Sequence, residues 1–276
     1  MASIGKMNRL QVVKLVDFGV YLDAGEFSTV LLPKRYLPEG CALGDWLDVF
    51  IYLDSEDEII ATTLTPKVMV GQCAYLKVKD LNDTGAFLDW GLPKDLLVPY
   101  SEQHKPMEVD KSYVVSVQLD TQTNRLVASS KLNRYLLETA HDFKPQQAVE
   151  LLICGRSDMG YKAVVNHEYL GLIFRDDAFK PLRYGQRLQG YIKGIRADKK
   201  IDVSLQLPAG AARQDLGEQI IAHLKAEGGT STLTDKAAPD DIYHHFNVSK
   251  KNYKKALGAL FKQKRILIEP DRIRLV

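Results

Sequence analysis

The chain has 276 residues, 45% hydrophobic and 26% charged, a globular composition too long for one ordinary core, so two to four domains are expected. A net charge of +2 is not that of a strongly basic nucleic-acid binder, and the opening Met1-Ala2-Ser3-Ile4-Gly5-Lys6 lacks the apolar stretch of a signal peptide. No run is long enough to span a membrane, and Cys41, Cys73 and Cys154 form no CxxC pair, so a cytoplasmic chain without disulfide framework or zinc site is expected.

Charge is unevenly spread: −5 over residues 1–64, +1 over 65–134, +2 over 135–210 and +4 over 211–276. The gradient suits a chain whose later domains meet phosphates and whose first does not.

In chain order, a unit of about seventy residues recurs three times. Asp17-Phe18-Gly19-Val20-Tyr21-Leu22-Asp23 returns as Asp83-Thr84-Gly85-Ala86-Phe87-Leu88-Asp89, and more weakly as Asp158-Met159-Gly160-Tyr161-Lys162-Ala163-Val164. Fourteen residues after each glycine a short apolar run ends: Leu31-Leu32-Pro33, Leu97-Val98-Pro99 and Leu172-Ile173-Phe174. Each copy closes with an alternating hairpin, over Trp46–Leu64, Tyr113–Ser129 and Arg187–Leu205. Period-two alternation with Asp, Asn and Gly at the turns predicts about five short antiparallel strands per copy. Five strands leave two edges exposed unless the sheet closes, so a partly open Greek-key barrel of the OB type is expected; an immunoglobulin-like sandwich needs more strands. The limits are residues 1–64, 65–134 and 135–207.

After Leu207-Pro208-Ala209-Gly210 the period becomes helical. Asp215–Glu227 forms an amphipathic helix on Leu216, Ile220 and Leu224, stopped by Gly228-Gly229. A second helix covers Pro239–Phe246. Ser249 caps a third, on which Tyr253, Ala256, Leu257, Leu260 and Phe261 make the apolar stripe. Strands Arg265–Ile268 and Arg272–Val276 then turn at Glu269-Pro270-Asp271. Three helices and a β-ribbon predict a small α+β winged-helix domain over residues 211–276. The whole is mainly β with α: three tandem five-stranded barrels, then the winged helix.

The Asp-Phe-Gly-Val-Tyr-Leu-Asp segment, the Leu-Leu-Pro run and the Asp-turned hairpin resemble the S-one RNA-binding repeat. Three such copies with a C-terminal helical module resemble the conserved virulence factor B (YitL-like) family of bacterial RNA-binding proteins. That resemblance implies OB folds, a winged helix, single-stranded RNA as partner, a post-transcriptional role, and neither catalysis nor cofactor. It also implies a stacking platform of two aromatics about the glycine and a third side chain on the next strand. Mapped here, the first platform is Phe18, Tyr21 and Pro33. The second has Thr84, Phe87 and Pro99; the third has Met159, Lys162 and Phe174. The family's usual His at the third position is absent from all three, so weak binding per copy and affinity through tandem linkage are expected.

Base stacking is worth roughly 1–3 kcal/mol per base whatever the sequence, and a basic groove then tracks the phosphates. Lys34, Arg35, Lys94, Arg125 and Arg175 are the groove candidates. Residues 18 and 21 would face opposite sides of a regular strand, so a bulge at Gly19, and likewise at Gly85 and Gly160, is expected. Trp90 and Tyr100 fit either core or ligand contact. On the third helix Lys250, Lys251, Lys254 and Lys255 lie off the apolar stripe, where a winged helix meets a nucleic-acid backbone, and Lys264, Arg265, Arg272 and Arg274 are candidate wing contacts; a solvated lysine face has the same pattern. Contact with DNA there would be nonspecific, since no Arg or Asn pattern points to base readout.

His244-His245 are adjacent and point about 100° apart on a helix, unlike a metal-binding i, i+4 pair. No GxSxG, P-loop, GxGxxG or HExxH occurs. A winged-helix DNA regulator and a protein scaffold are the rival readings; neither explains Phe18, Tyr21 and Phe87.

Overall fold

The computed structural model describes residues 2–175, 177–178, 181–206, 211–246 and 248–276, the side chains of 211–215 excepted. The predicted break at Leu207-Pro208-Ala209-Gly210 lies outside the described residues. The chain divides into two compact units, Met1–Leu137 and Glu138–Val276.

The first unit holds two closed five-stranded barrels. One is built from β1 (Met7–Val16), β2 (Gly19–Gly25), β3 (Ser28–Pro33), β4 (Trp46–Leu53) and β5 (Ile59–Thr62). The other uses β6 (Cys73–Asn82), β7 (Gly85–Asp89), β8 (Leu96–Pro99), β9 (Ser112–Leu119) and β10 (Leu126–Ser129). Period-two alternation puts Leu10, Val12, Val20, Leu22, Val30 and Leu32 inside the first barrel. Closure differs from the all-antiparallel expectation in one respect: β3 and β5 run parallel, paired at Leu31 and Ile60, and β8 and β10 do the same at Leu97 and Val127. That parallel pair removes the exposed edges, which is why the barrels are closed rather than partly open.

The two barrels share apolar packing. Phe50 and Tyr52 belong to β4 of the first, yet their rings lie 5.6 Å and 6.4 Å from that of Trp90, edge-on, within the apolar cluster of the second. Trp90 is 2% exposed, so it is core, and its indole N–H donates to the Lys94 carbonyl at 2.6 Å.

The second unit begins with a third closed barrel of the same strand order: β11 (Ala148–Ser157), β12 (Gly160–Val165), β13 (Tyr169–Phe174), β14 (Arg187–Ile195) and β15 (Ile201–Ser204). Its apolar cluster is drawn, among the described residues, from residues 140–205. The rest is the winged helix: α1 (Ala211–Ala226), β16 (Thr230–Ser231), α2 (Pro239–Phe246), α3 (Lys250–Lys262), β17 (Ile266–Ile268) and β18 (Ile273–Leu275). The Ser249 side chain accepts the Asn252 amide at 3.2 Å, as the cap reading expects. Leu216, Ile220, Leu224, Tyr253, Leu257 and Leu260 are buried together, and the Tyr253 hydroxyl donates to the Leu233 carbonyl at 2.7 Å. The first helix starts earlier than its periodicity suggested. The two-residue β16, too short to leave a pattern, joins the ribbon as a third strand in the order β16-β18-β17.

Candidate nucleic-acid interface

Each barrel opens with a tight hairpin whose geometry corrects the bulge expectation. Val16 pairs with Gly19, Asn82 with Gly85 and Ser157 with Gly160, so the loops are Asp17-Phe18, Asp83-Thr84 and Asp158-Met159. Phe18 therefore sits in the turn, and the alternation argument does not reach it. The bulge exists, but in the preceding strand: the register slips at Val13, at Lys79 and at Cys154, each six residues before the glycine. Adding one residue there re-aims the outer face of the strand beside the platform. The glycine answers a different need. A Cβ on Gly19 would stand 2.2 Å from the Leu32 carbonyl oxygen; on Gly85 it would meet Val98's at 2.2 Å, and on Gly160 that of Ile173 at 2.0 Å. Only a residue without a side chain lets the second strand lie so close to the third.

This close approach assembles the platforms. Gly19 pairs with Pro33, Gly85 with Pro99 and Gly160 with Phe174, so the third platform residue is always directly across from the glycine. The following amide donates back to the turn: Lys34 to the Phe18 carbonyl at 2.8 Å, Tyr100 to Thr84 at 3.4 Å, Arg175 to Met159 at 3.1 Å. Lys34, Tyr100 and Arg175 are thus one structural position, exposed in all three.

The side chains on this shared frame differ. In the first barrel Phe18 is 58% exposed and Tyr21 half-buried, with the Lys14 ammonium 5.8 Å from the Tyr21 ring. Lys34 and Arg35 are exposed, and the Arg35 guanidinium lies 4.8 Å from the ring of Tyr36. In the second, Phe87 is half-buried and Tyr100 is 54% exposed, its hydroxyl donating to the Asn82 carbonyl at 2.8 Å. In the third, Met159 is 53% exposed, and Phe174 is half-buried with Lys193 5.5 Å from its ring. Lys14 and Lys193 were missed by sequence reasoning. Lys14 reaches its aromatic through strand pairing, directly opposite Tyr21 in the regular register that runs back from the turn.

Four basic candidates are engaged by partners within the protein. Arg125 grips Asp57: Nε donates to Oδ1 at 3.1 Å and Nη2 to Oδ2. Lys94 donates to the Asp54 carbonyl and stands 3.6 Å from the Asp57 carboxylate. Both partners belong to the first barrel, some forty to seventy residues away in the chain, beyond the reach of local pattern reading. The Arg125 hydrogen bonds hold the Asp57 carboxyl below the usual carboxylate range. Lys250 donates to the carbonyls of Lys236 at 3.1 Å and Ala237 at 2.8 Å, and Lys254 pairs with Asp235 at 3.5 Å. Lys251 and Lys255, one helical turn apart, stay exposed. The wing arginines also carry partners: Arg265 bonds Glu218 at 2.6 Å and 3.1 Å, Arg272 bonds Asp271 at 3.0 Å, and Arg274 bonds Glu269 at 2.9 Å.

The family pattern described as an S1 domain matches residues 4–64 and 70–131, and that of a CvfB-like winged helix domain matches residues 218–275. The chain thus carries two S1 domains and a CvfB-like winged helix. Relatives run along nearly its whole length. The uncharacterized protein YitL of Bacillus subtilis is 28% identical, covering 96% of this chain and 91% of its own. Conserved virulence factor B of Staphylococcus epidermidis is also 28% identical, covering 99% and 94%. A solved Streptococcus pneumoniae structure, described as a multidomain protein with nucleic acid binding domains, aligns over 99% of this chain and 98% of its own, at 22% identity and a TM-score of 0.43. The third barrel lies outside both family patterns, although it repeats the strand order, bulge and glycine contact of the two matched S1 domains. No helix among the described residues is long and apolar enough to cross a membrane.

Proposed function

We propose that this chain is a non-catalytic binder of single-stranded RNA acting after transcription in a bacterial cytoplasm. The observation that carries the reading is the recurrence of one outward-facing backbone frame on three barrels. Each has an exposed turn residue, an outer-face residue two places past the glycine, and a third residue across from it. Bases stack on Phe18 and Tyr21, on Phe87, and on Phe174. Lys34, Arg35 and Arg175 supply phosphate contacts beside them, and Lys251 with Lys255 adds a nonspecific backbone contact from the winged helix. The repeats at 1–64, 65–134 and 135–207 act as separate weak modules whose linkage builds affinity.

The test is fluorescence anisotropy on a labelled single-stranded RNA and on a matched DNA duplex, each at two salt concentrations. RNA preference that weakens with salt and falls in the Phe18→Ala/Tyr21→Ala/Phe87→Ala variant is the expected result. A duplex preference abolished by replacing Lys251 and Lys255 would transfer the function to the winged helix. No binding to either nucleic acid would overturn the reading.

A further inference from the structure

The β4–β5 turn of the first barrel is built to present one carboxylate. Asp54 Oδ1 accepts the amides of Glu56 at 2.9 Å and Glu58 at 3.1 Å, and the Asp54 amide donates to the Glu58 carbonyl at 2.9 Å. Asp57 then takes a left-handed conformation, φ 64°, which Asp tolerates better than most residues. The corresponding turns place Asn124 and Lys199 in the same conformation, φ 57° and 62°. The acid belongs to the first copy alone.

That carboxylate serves the neighbouring barrel. Its two oxygens receive the fork of Arg125, and Lys94 stands beside it. Asp57, Lys94 and Arg125 rim a cleft of 480 Å³ whose wall includes the stacking candidate Phe87 together with Leu97. Two oxygens held by a guanidinium fork and a lysine are also what a phosphodiester offers. The pair is partly open to water, with the Arg125 side chain 56% and that of Asp57 43% exposed, so an exchange re-exposes no buried charge.

We propose that Asp57 occupies a phosphodiester subsite of the second barrel, and that a phosphate of single-stranded RNA displaces it while the adjoining base lies against Phe87. The proposal rests on the RNA-binding reading. It also gives one acid of the first repeat a role: the Asp57 carboxylate competes with RNA for Lys94 and Arg125 and lowers affinity until a phosphate takes its place.

The experiment measures a labelled oligouridine binding to the full chain, to Asp57→Asn and to Asp57→Asn/Arg125→Ala, each at several salt concentrations. Asn keeps the turn conformation and removes the charge. Asp57→Asn is expected to bind about fivefold tighter, with a salt slope steeper by about 0.7 for each further phosphate neutralised, and the double variant is expected to lose both effects. Thermal unfolding checks that each variant is folded; should Asp57→Asn unfold, Asp57→Gly retains the left-handed turn and replaces it. Salt-dependent RNA binding by the native chain with no tightening in Asp57→Asn overturns the subsite and leaves the RNA reading intact. A native chain that does not bind while Asp57→Asn does supports the subsite as a complete block, and absence of binding by both overturns subsite and RNA reading together.

Discussion

The first and third barrels share a strand order, a bulge six residues ahead of the glycine, and a glycine pressed against the facing strand, yet their outer faces have little in common. Register pairing puts Phe50 of the first barrel where the third has Tyr191. The first barrel commits Phe50 and Tyr52 to the apolar cluster of the second, while the cluster of the third is drawn, among the described residues, from residues 140–205. Frame and surface are separable in this protein. The frame depends on backbone contacts that recur in every copy, and the surface on side chains free to diverge around them.

The largest expected effect comes from breaking what the two share. Gly19→Val and Gly160→Val would each drive a side chain into a backbone carbonyl, at costs on the order of 5 kcal/mol, enough to unfold the barrel concerned. Hydrogen exchange on each variant checks this: protection should vanish from the barrel carrying the substitution. A variant of either glycine that keeps native protection would show that the frames are not equivalent.

Next comes the packing that only the first unit has. Trp90→Ala removes a buried indole that packs edge-on against Phe50 and Tyr52 and should cost about 3–5 kcal/mol. Calorimetry should show the loss in the transition of residues 1–137, with that of the third barrel unmoved. Two transitions that shift together would contradict the separate cores.

The surfaces differ by a smaller amount. Phe18→Ala/Tyr21→Ala should weaken RNA binding about tenfold or more, since each stacked base is worth roughly 1–3 kcal/mol, whereas Met159→Ala/Lys162→Ala should change it by less than about threefold. The reciprocal Met159→Phe/Lys162→Tyr variant sharpens the point: on an equivalent frame it should gain affinity in the same anisotropy assay.

What could be read in the sequence follows the same division. The strands and their hairpins were legible because alternation and the glycine spacing are local and repeated. The bulge was assigned to the wrong strand, because Gly19 is a signal for close approach as much as for irregularity, and Val13, Lys79 and Cys154 share no residue type. The capture of Lys94 and Arg125 by Asp57 was illegible for another reason: it joins two barrels, and no periodicity within either records it. Lys250 escaped in a like manner, since its partners are backbone carbonyls, which sequence does not distinguish.

The smallest effect is electrostatic and has opposite signs in the two barrels. Asp57 has its carboxyl lowered, chiefly by the Arg125 hydrogen bond, from an ordinary value of 3.8. The stability it contributes is therefore complete above that ordinary value and is lost as pH falls through the lower folded one. Asp202 of the third barrel is raised, chiefly by burial, although Arg196 lies 3.1 Å away and pulls the other way. Burial wins because the Arg196 Nε and Asp202 Oδ1 are both shielded from solvent and misaligned for a hydrogen bond. Its ionised form is a penalty on the fold, and the penalty fades as pH falls through the raised value. Melting temperatures from neutral pH down to about pH 3 should show Asp57→Asn below the native chain at neutral pH with the gap closing in acid. Asp202→Asn should lie above the native chain at neutral pH, with that gain also closing in acid. Curves for both variants on the same side of the native chain would mean that hydrogen bonding, and not burial, governs Asp202.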